Sequence, residues 1–199
     1  MFDYTGYESK SGFGSYLSET AGIREQLPIL VRELGVQSFL DAPCGDFNWM
    51  KETHLGVQKY IGVDSSWELI RDNIKAYAAP DREFAVADVV WSDLPRADAI
   101  LCRDCLVHLP FRGGLMAIRN LKRTGSTYLI ATTYPVVTEN SDCLLWGWRK
   151  LNLELPPFSL GKPCQIIQER GSRCELGQDD YGKALGVWLL RDLYGYAIT

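Results

Sequence analysis

The sequence predicts a doubly wound α/β domain: a mostly parallel seven-stranded sheet with helices on both faces and an antiparallel strand pair at its end. Short apolar runs recur at Ser38–Asp41, Tyr60–Asp64, Phe84–Asp88, Ala99–Arg103 and Tyr128–Thr133, and helix-period stretches separate them. Strands alternating with helices close by right-handed crossovers into a parallel sheet. The first three runs each end on an acid, which places carboxylates at the edge where open α/β sheets bind ligands.

Residues 1–18 are rich in Tyr, Phe, Gly and Ser without a stable period, and SGFGS at 11–15 reads as an irregular arm. A helical pattern then puts Ile23, Leu27, Leu30 and Leu34 on one face, with Pro28 either kinking it or opening a new helix, before Gly35 ends it. The second helix is expected to begin at Ser65, where Ser65 and Glu68 form a capping box and Trp67, Ile70, Ile74 and Tyr77 form an apolar stripe. A third has Phe111, Leu115, Ile118 and Leu121 on one face and stops before Gly125. From Tyr134 to Gly161 the chain is dense in Pro, Trp, Asn and Leu without helix period, a long ordered loop of the kind that carries function. The runs Cys164–Glu169 and Ala184–Leu190 form the final strand pair.

The 199 residues suit one domain with a sizeable core. It divides into an arm and helix (1–35), a ligand-binding core (36–133), an acceptor-side loop (134–163) and the terminal pair (164–199). A net charge of −4 with interleaved signs gives no footprint for nucleic acid. No apolar run approaches the roughly 18 residues of a spanning helix, and the start has no leader pattern, so the expectation is a cytoplasmic protein without membrane insertion. Six scattered cysteines resemble reduced thiols; Cys102 and Cys105 form a lone CxxC with no partner ligands, so no metal site is expected.

The segment SFLDAPCGDFNWM is the most telling in the chain: a strand ending in Asp41, a turn through Cys44, Gly45 and Asp46, and a restart. Asp64 closes the next strand at about the spacing, roughly 20 residues, at which an acid meets a ribose bound beside the first turn. Asp88 closes the third, where it can accept from an exocyclic amine while the Val89 amide donates, a pair that reads adenine. Any one such Asp is equally explained as a cap or turn former. A dinucleotide pyrophosphate needs a Gly-rich turn, and here Asp46, Phe47, Asn48 and Trp49 oppose it with bulk and charge. An uncharged link with an amino-acid tail fits better.

On these motifs, residues 36–190 resemble the class I S-adenosylmethionine (SAM)-dependent methyltransferases, with their Rossmann-like fold. The resemblance implies SAM as cofactor, held at Asp41, Cys44, Gly45, Asp46, Asp64, Ser65, Asp88 and Val89, and places the fourth-strand motif on DAILCRDCLVHL at 98–109. Phe47 stands where that family commonly has a second glycine. Together, DAPCGDFNWM, RDCLVHL and LNLELPPF resemble bacterial methyltransferase-like proteins, some associated with surface-glycan assembly.

Arg103, or less securely Arg24, is the expected partner of the cofactor's carboxylate. The arm is the expected lid. Asp104 and His108, just past the fourth strand, are the candidate catalytic groups for a hydroxyl acceptor, each also explicable as a cap or an orienting residue. His54 reads as structural or exposed. In the 134–160 loop, Tyr134, Asn140, Asp142, Trp146, Trp148, Arg149 and Asn152 suit a polar ring stacked on an aromatic face, as well as many small aromatic metabolites; Trp146 and Trp148 equally suit packing of the loop. The expectation is methyl transfer to a small-molecule acceptor, foremost a sugar hydroxyl in surface-glycan synthesis with glycan-assembly enzymes as partners. N- or carboxyl-methylation, or cofactor binding without catalysis, are the alternatives.

Overall fold

A computed structural model describes residues 6–145, 147–169 and 182–193. Its seven strands are β1 (Ser38–Asp41), β2 (Lys59–Asp64), β3 (Arg82–Val86), β4 (Ala99–Cys102), β5 (Tyr128–Thr133), β6 (Gln165–Gln168) and β7 (Ala184–Leu189). They form one sheet in the order β3-β2-β1-β4-β5-β7-β6. Pairing is parallel from β3 through β5 and antiparallel where β7 meets β5 and β6. The expected strands are therefore present, with one correction: β3 stops at Val86, so Asp88 lies beyond it in a turn.

The period of two along each strand divides the core into two layers. Leu40, Ile100 and Leu129 face α3 (Phe111–Arg123), where Ala117, Ile118 and Leu121 are fully buried. Phe39, Leu101 and Ile130 face α1 (Leu17–Glu33) through Ile23, Leu27 and Leu30. No second helix starts at Pro28; α1 continues past it because Leu27 and Leu30 hold both sides of the proline in the same apolar layer.

The helix α2 (Trp67–Tyr77) corrects the expected cap by one residue. Its N-cap is Ser66, whose hydroxyl accepts from the Leu69 amide and donates to Glu68. The expected stripe also fails in part: Trp67 and Ile74 are 56% and 48% exposed, while Ile70 and Asn73 are buried. Asn73 is inside because its amide donates to the Gly45 carbonyl at 2.8 Å, fastening α2 to the turn after β1.

The 134–161 loop has no regular element among its described residues. It is ordered by its own apolar side chains, with Leu151, Leu153, Phe158 and Leu160 buried against α3. No helix among the described residues is long and apolar enough to cross a membrane.

Candidate functional site

The parallel topology brings the carboxyl ends of β1 to β5 to one edge, and a cleft of about 1170 Å³ runs along it. Asp64, Ser65, Asp88 and Val89 line its wall on the β2–β3 side. Asp104, His108, Tyr134 and Trp148 line it on the β4–β5 side. A smaller chamber of about 210 Å³, lined by Asp41, Cys44, Gly45 and Arg103, shares Ser11, Ser15, Pro43, Asp64 and Asp104 with the cleft.

Asp64 is oriented by backbone donors: Oδ2 accepts from the Gly45 amide at 3.0 Å and Oδ1 from the Ser66 amide at 2.9 Å. Burial raises its pKa against these bonds. Asp88 accepts from the Val90 amide at 2.7 Å, which fixes its carboxylate inside its own turn. Asp41 is buried beside Tyr60, whose hydroxyl donates to it at 2.7 Å; desolvation pushes its carboxyl up to about 7.

Phe47 stands in the turn between β1 and β2. At φ 60° this residue takes the left-handed conformation that glycine favours, and its ring is buried among Tyr60, Tyr77 and Phe84. Gly45, at φ 57°, is required for another reason: an added Cβ would collide with the Ser11 hydroxyl. Cys44 is buried next to Asn73, and desolvation drives its thiol far above the ordinary range.

Asp46 lines neither space. Its carboxylate accepts from the Ser9 hydroxyl, the Lys10 amide and the Ser11 hydroxyl, so it fastens the arm over the turn. In this position the arm contributes Ser11 to Ser15 to the cleft wall.

Arg103 was expected to meet a ligand carboxylate, and the structure gives its donors to the protein. Its guanidinium bonds Glu169 at 2.8 Å, Asp104 at 3.1 Å and the Gly14 carbonyl at 2.8 Å, and it stacks on Trp49. Lys183 completes the cluster at 2.6 Å from Asp104 and 3.1 Å from Glu169. Neither Glu169 nor Lys183 was singled out from sequence, because nothing local to either one signals a partner so distant in the chain. Burial alone would raise the Asp104 pKa, but Arg103 and Lys183 hold it at about 2. A carboxylate so weakly basic is a poor proton acceptor, so of the two candidate catalytic groups Asp104 is the less suited to take a proton. Its backbone stands at φ 50°, with its amide donating to Thr132 at 2.9 Å.

His108 sits in a single 3₁₀ turn, Leu106–His108, and lines the cleft. Its Nδ1 is 2.8 Å from the Gly147 carbonyl, so Nδ1 is the donor, and in the neutral ring the lone pair is on Nε2.

The loop residues divide. Tyr134 and Trp148 line the cleft edge to face at 6.3 Å, and Trp148 is 53% exposed. Arg149 does not reach the cleft; it bonds the Leu106 and Ser141 carbonyls and covers the Phe111 ring. Asn140 and Asn152 bond within the loop, and Asp142 accepts from the Phe111 amide at the start of α3. Arg24 donates to the Leu17 carbonyl and lines neither space. Trp146 lies outside the described residues.

Neither a protein-family model nor a curated protein matches the chain. Solved structures do. The methyltransferase domain of bacterial CtHen1-CN superposes with a TM-score of 0.62 at 14% identity, over 86% of this chain and 99% of that one. Magnesium protoporphyrin IX methyltransferase from Synechocystis PCC 6803, with bound SAM, gives 0.61 at 15% identity over 92% and 93% of the two chains. The fold is that of a class I methyltransferase. Human N-acetylserotonin methyltransferase in complex with SAM gives 0.61 at 10% identity over 84% of this chain and 51% of its own, so this chain spans about half of that protein. Within the methyltransferase fold, the short 3₁₀ turn Met50–Glu52 is the only helical piece between β1 and β2, and the 134–161 loop supplies the wall beyond β5.

Proposed function

We propose that this protein is a SAM-dependent methyltransferase acting on a hydroxyl of a small molecule. One observation carries the reading: a ribose-type acid at Asp64 and an adenine-type pair at Asp88 and Val89 line one wall, and Asp41 lies in the chamber that opens beside them. The donor set fits the group. Asp64 retains lone pairs beyond those taken by Gly45 and Ser66 and can accept from a ribose diol. Asp41 in the chamber would pair with the ammonium, and Ser15, shared by chamber and cleft, would offer its hydroxyl to the carboxylate.

Bound there, SAM supplies a methyl group on a sulfonium, transferred by in-line displacement as the neutral sulfide leaves. The protein's part is to align the acceptor and remove its proton. His108 takes that proton on Nε2, and the fixed charge of Asp104 stabilises the imidazolium.

The finer reading, a sugar hydroxyl in surface-glycan synthesis with glycan-assembly enzymes as partners, is supported by the motif resemblance and by the exposed face of Trp148. The loop's polar side chains lend it no support, because Asn140, Asn152 and Arg149 hold the loop together.

Titration calorimetry with S-adenosylhomocysteine tests the cofactor, and labelled-methyl transfer into phenols and sugar nucleotides tests the chemistry. His108→Ala should lower turnover about 10²-fold or more and leave S-adenosylhomocysteine affinity intact. Absence of S-adenosylhomocysteine binding overturns the reading, and binding without transfer to any acceptor leaves a non-catalytic protein.

A further inference from the structure

We propose that the acceptor is a flat, mainly apolar ring system carrying an anionic group, seated between Trp148 and the start of α3 with its anion on Arg112. The inference rests on the methyltransferase reading and deepens it, and it stands against the sugar acceptor. Most charges lining the cleft are accounted for: Asp64 and Asp88 belong to the nucleoside wall, and Asp104 and Lys183 neutralise each other. Arg112, on the first turn of α3, lines the same cleft and is exposed, with no hydrogen bond or ion pair among the described residues.

Around it the β4–β5 wall carries a run of mainly apolar side chains, Leu109, Met116, Tyr134, Leu145 and Trp148, beside Asp104 and His108. Leu145 and Trp148 are more than half exposed, an apolar patch that a ligand would cover. A guanidinium standing free over such a surface matches a carboxylate or phosphate bidentately and fixes the orientation of the ring beneath it. Several ring hydroxyls of a neutral sugar would find few polar partners there, because burying an unpaired hydroxyl is costly. His108 lies on the same wall, so a ring anchored at Arg112 presents its own hydroxyl to a base.

The test uses the full chain saturated with S-adenosylhomocysteine, whose binding is measured first; failure at that step refutes the methyltransferase reading itself. Hydroxynaphthoate, naphthol and UDP-glucose are then titrated as probes. Hydroxynaphthoate should bind roughly tenfold more tightly than naphthol. Arg112→Gln should bring it to the naphthol level without weakening naphthol, and Arg112→Lys should retain part of the difference. The proposal is overturned if both naphthalenes bind equally, if neither binds, if Arg112→Gln affects both alike, or if UDP-glucose binds more tightly than either.

Discussion

Asp41 is a buried acid whose proton is held by its surroundings, and this has two consequences at the residue scale. Its folded pKa is raised from 3.8 to about 7, so the stability it lends is complete below about pH 4 and is lost as pH rises through about 7. Urea denaturation from pH 4 to pH 8 should therefore show a falling component that Asp41→Asn removes. In the methyltransferase reading, a ligand ammonium beside Asp41 favours the carboxylate, so S-adenosylhomocysteine binding should release a proton near pH 6.5 and tighten up to about pH 7. Calorimetry in two buffers of different ionisation enthalpy measures this, and Asp41→Asn should abolish it. Asp104 has the opposite sign, with stability present above pH 3.8 and lost as pH falls toward about 2. Asp104→Asn keeps a residue tolerant of positive φ but unbalances two buried cations, at a cost on the order of 3 kcal/mol in urea denaturation.

At the scale of elements, the turn after β1 and the start of α2 are separable by mutation. Ser66→Ala should cost about 1 kcal/mol through loss of the cap, whereas Ser65→Ala should leave thermal stability unchanged. Phe47→Ala should cost about 3–5 kcal/mol, because it empties a ring site shared with Tyr60, Tyr77 and Phe84 and leaves the φ strain in place. Much of this architecture was legible in the sequence: β1 and β5 coincide with apolar runs bounded by turn residues, because strands buried on both faces read as continuous apolar stretches. The α2 stripe was less legible. Period alone marks which residues share a face, and it cannot show that Asn73 has a backbone carbonyl waiting for it while Trp67 stays at the surface beneath the Arg71 guanidinium. Arg103 was readable as a cation at the cleft, but its partner Glu169 comes from the far hairpin, and no local pattern reports a contact of that range.

For the whole molecule, the arm is a part of the cleft, and Asp46 is the side chain that holds three consecutive residues of it. Asp46→Ala removes the acceptors for Ser9, Lys10 and Ser11, so a lysine-directed protease should cut at Lys10 at least several-fold faster, with S-adenosylhomocysteine slowing the cut in the unmutated chain. The Arg103 guanidinium extends this connection, since it touches Gly14 of the arm and Glu169 at the end of β6 at the same time. The first and last thirds of the polypeptide thus meet on one planar cation. Linkage is reciprocal, so whatever grips the hairpin must alter how readily the opposite end peels away, and a visitor to the groove would be felt at both extremities.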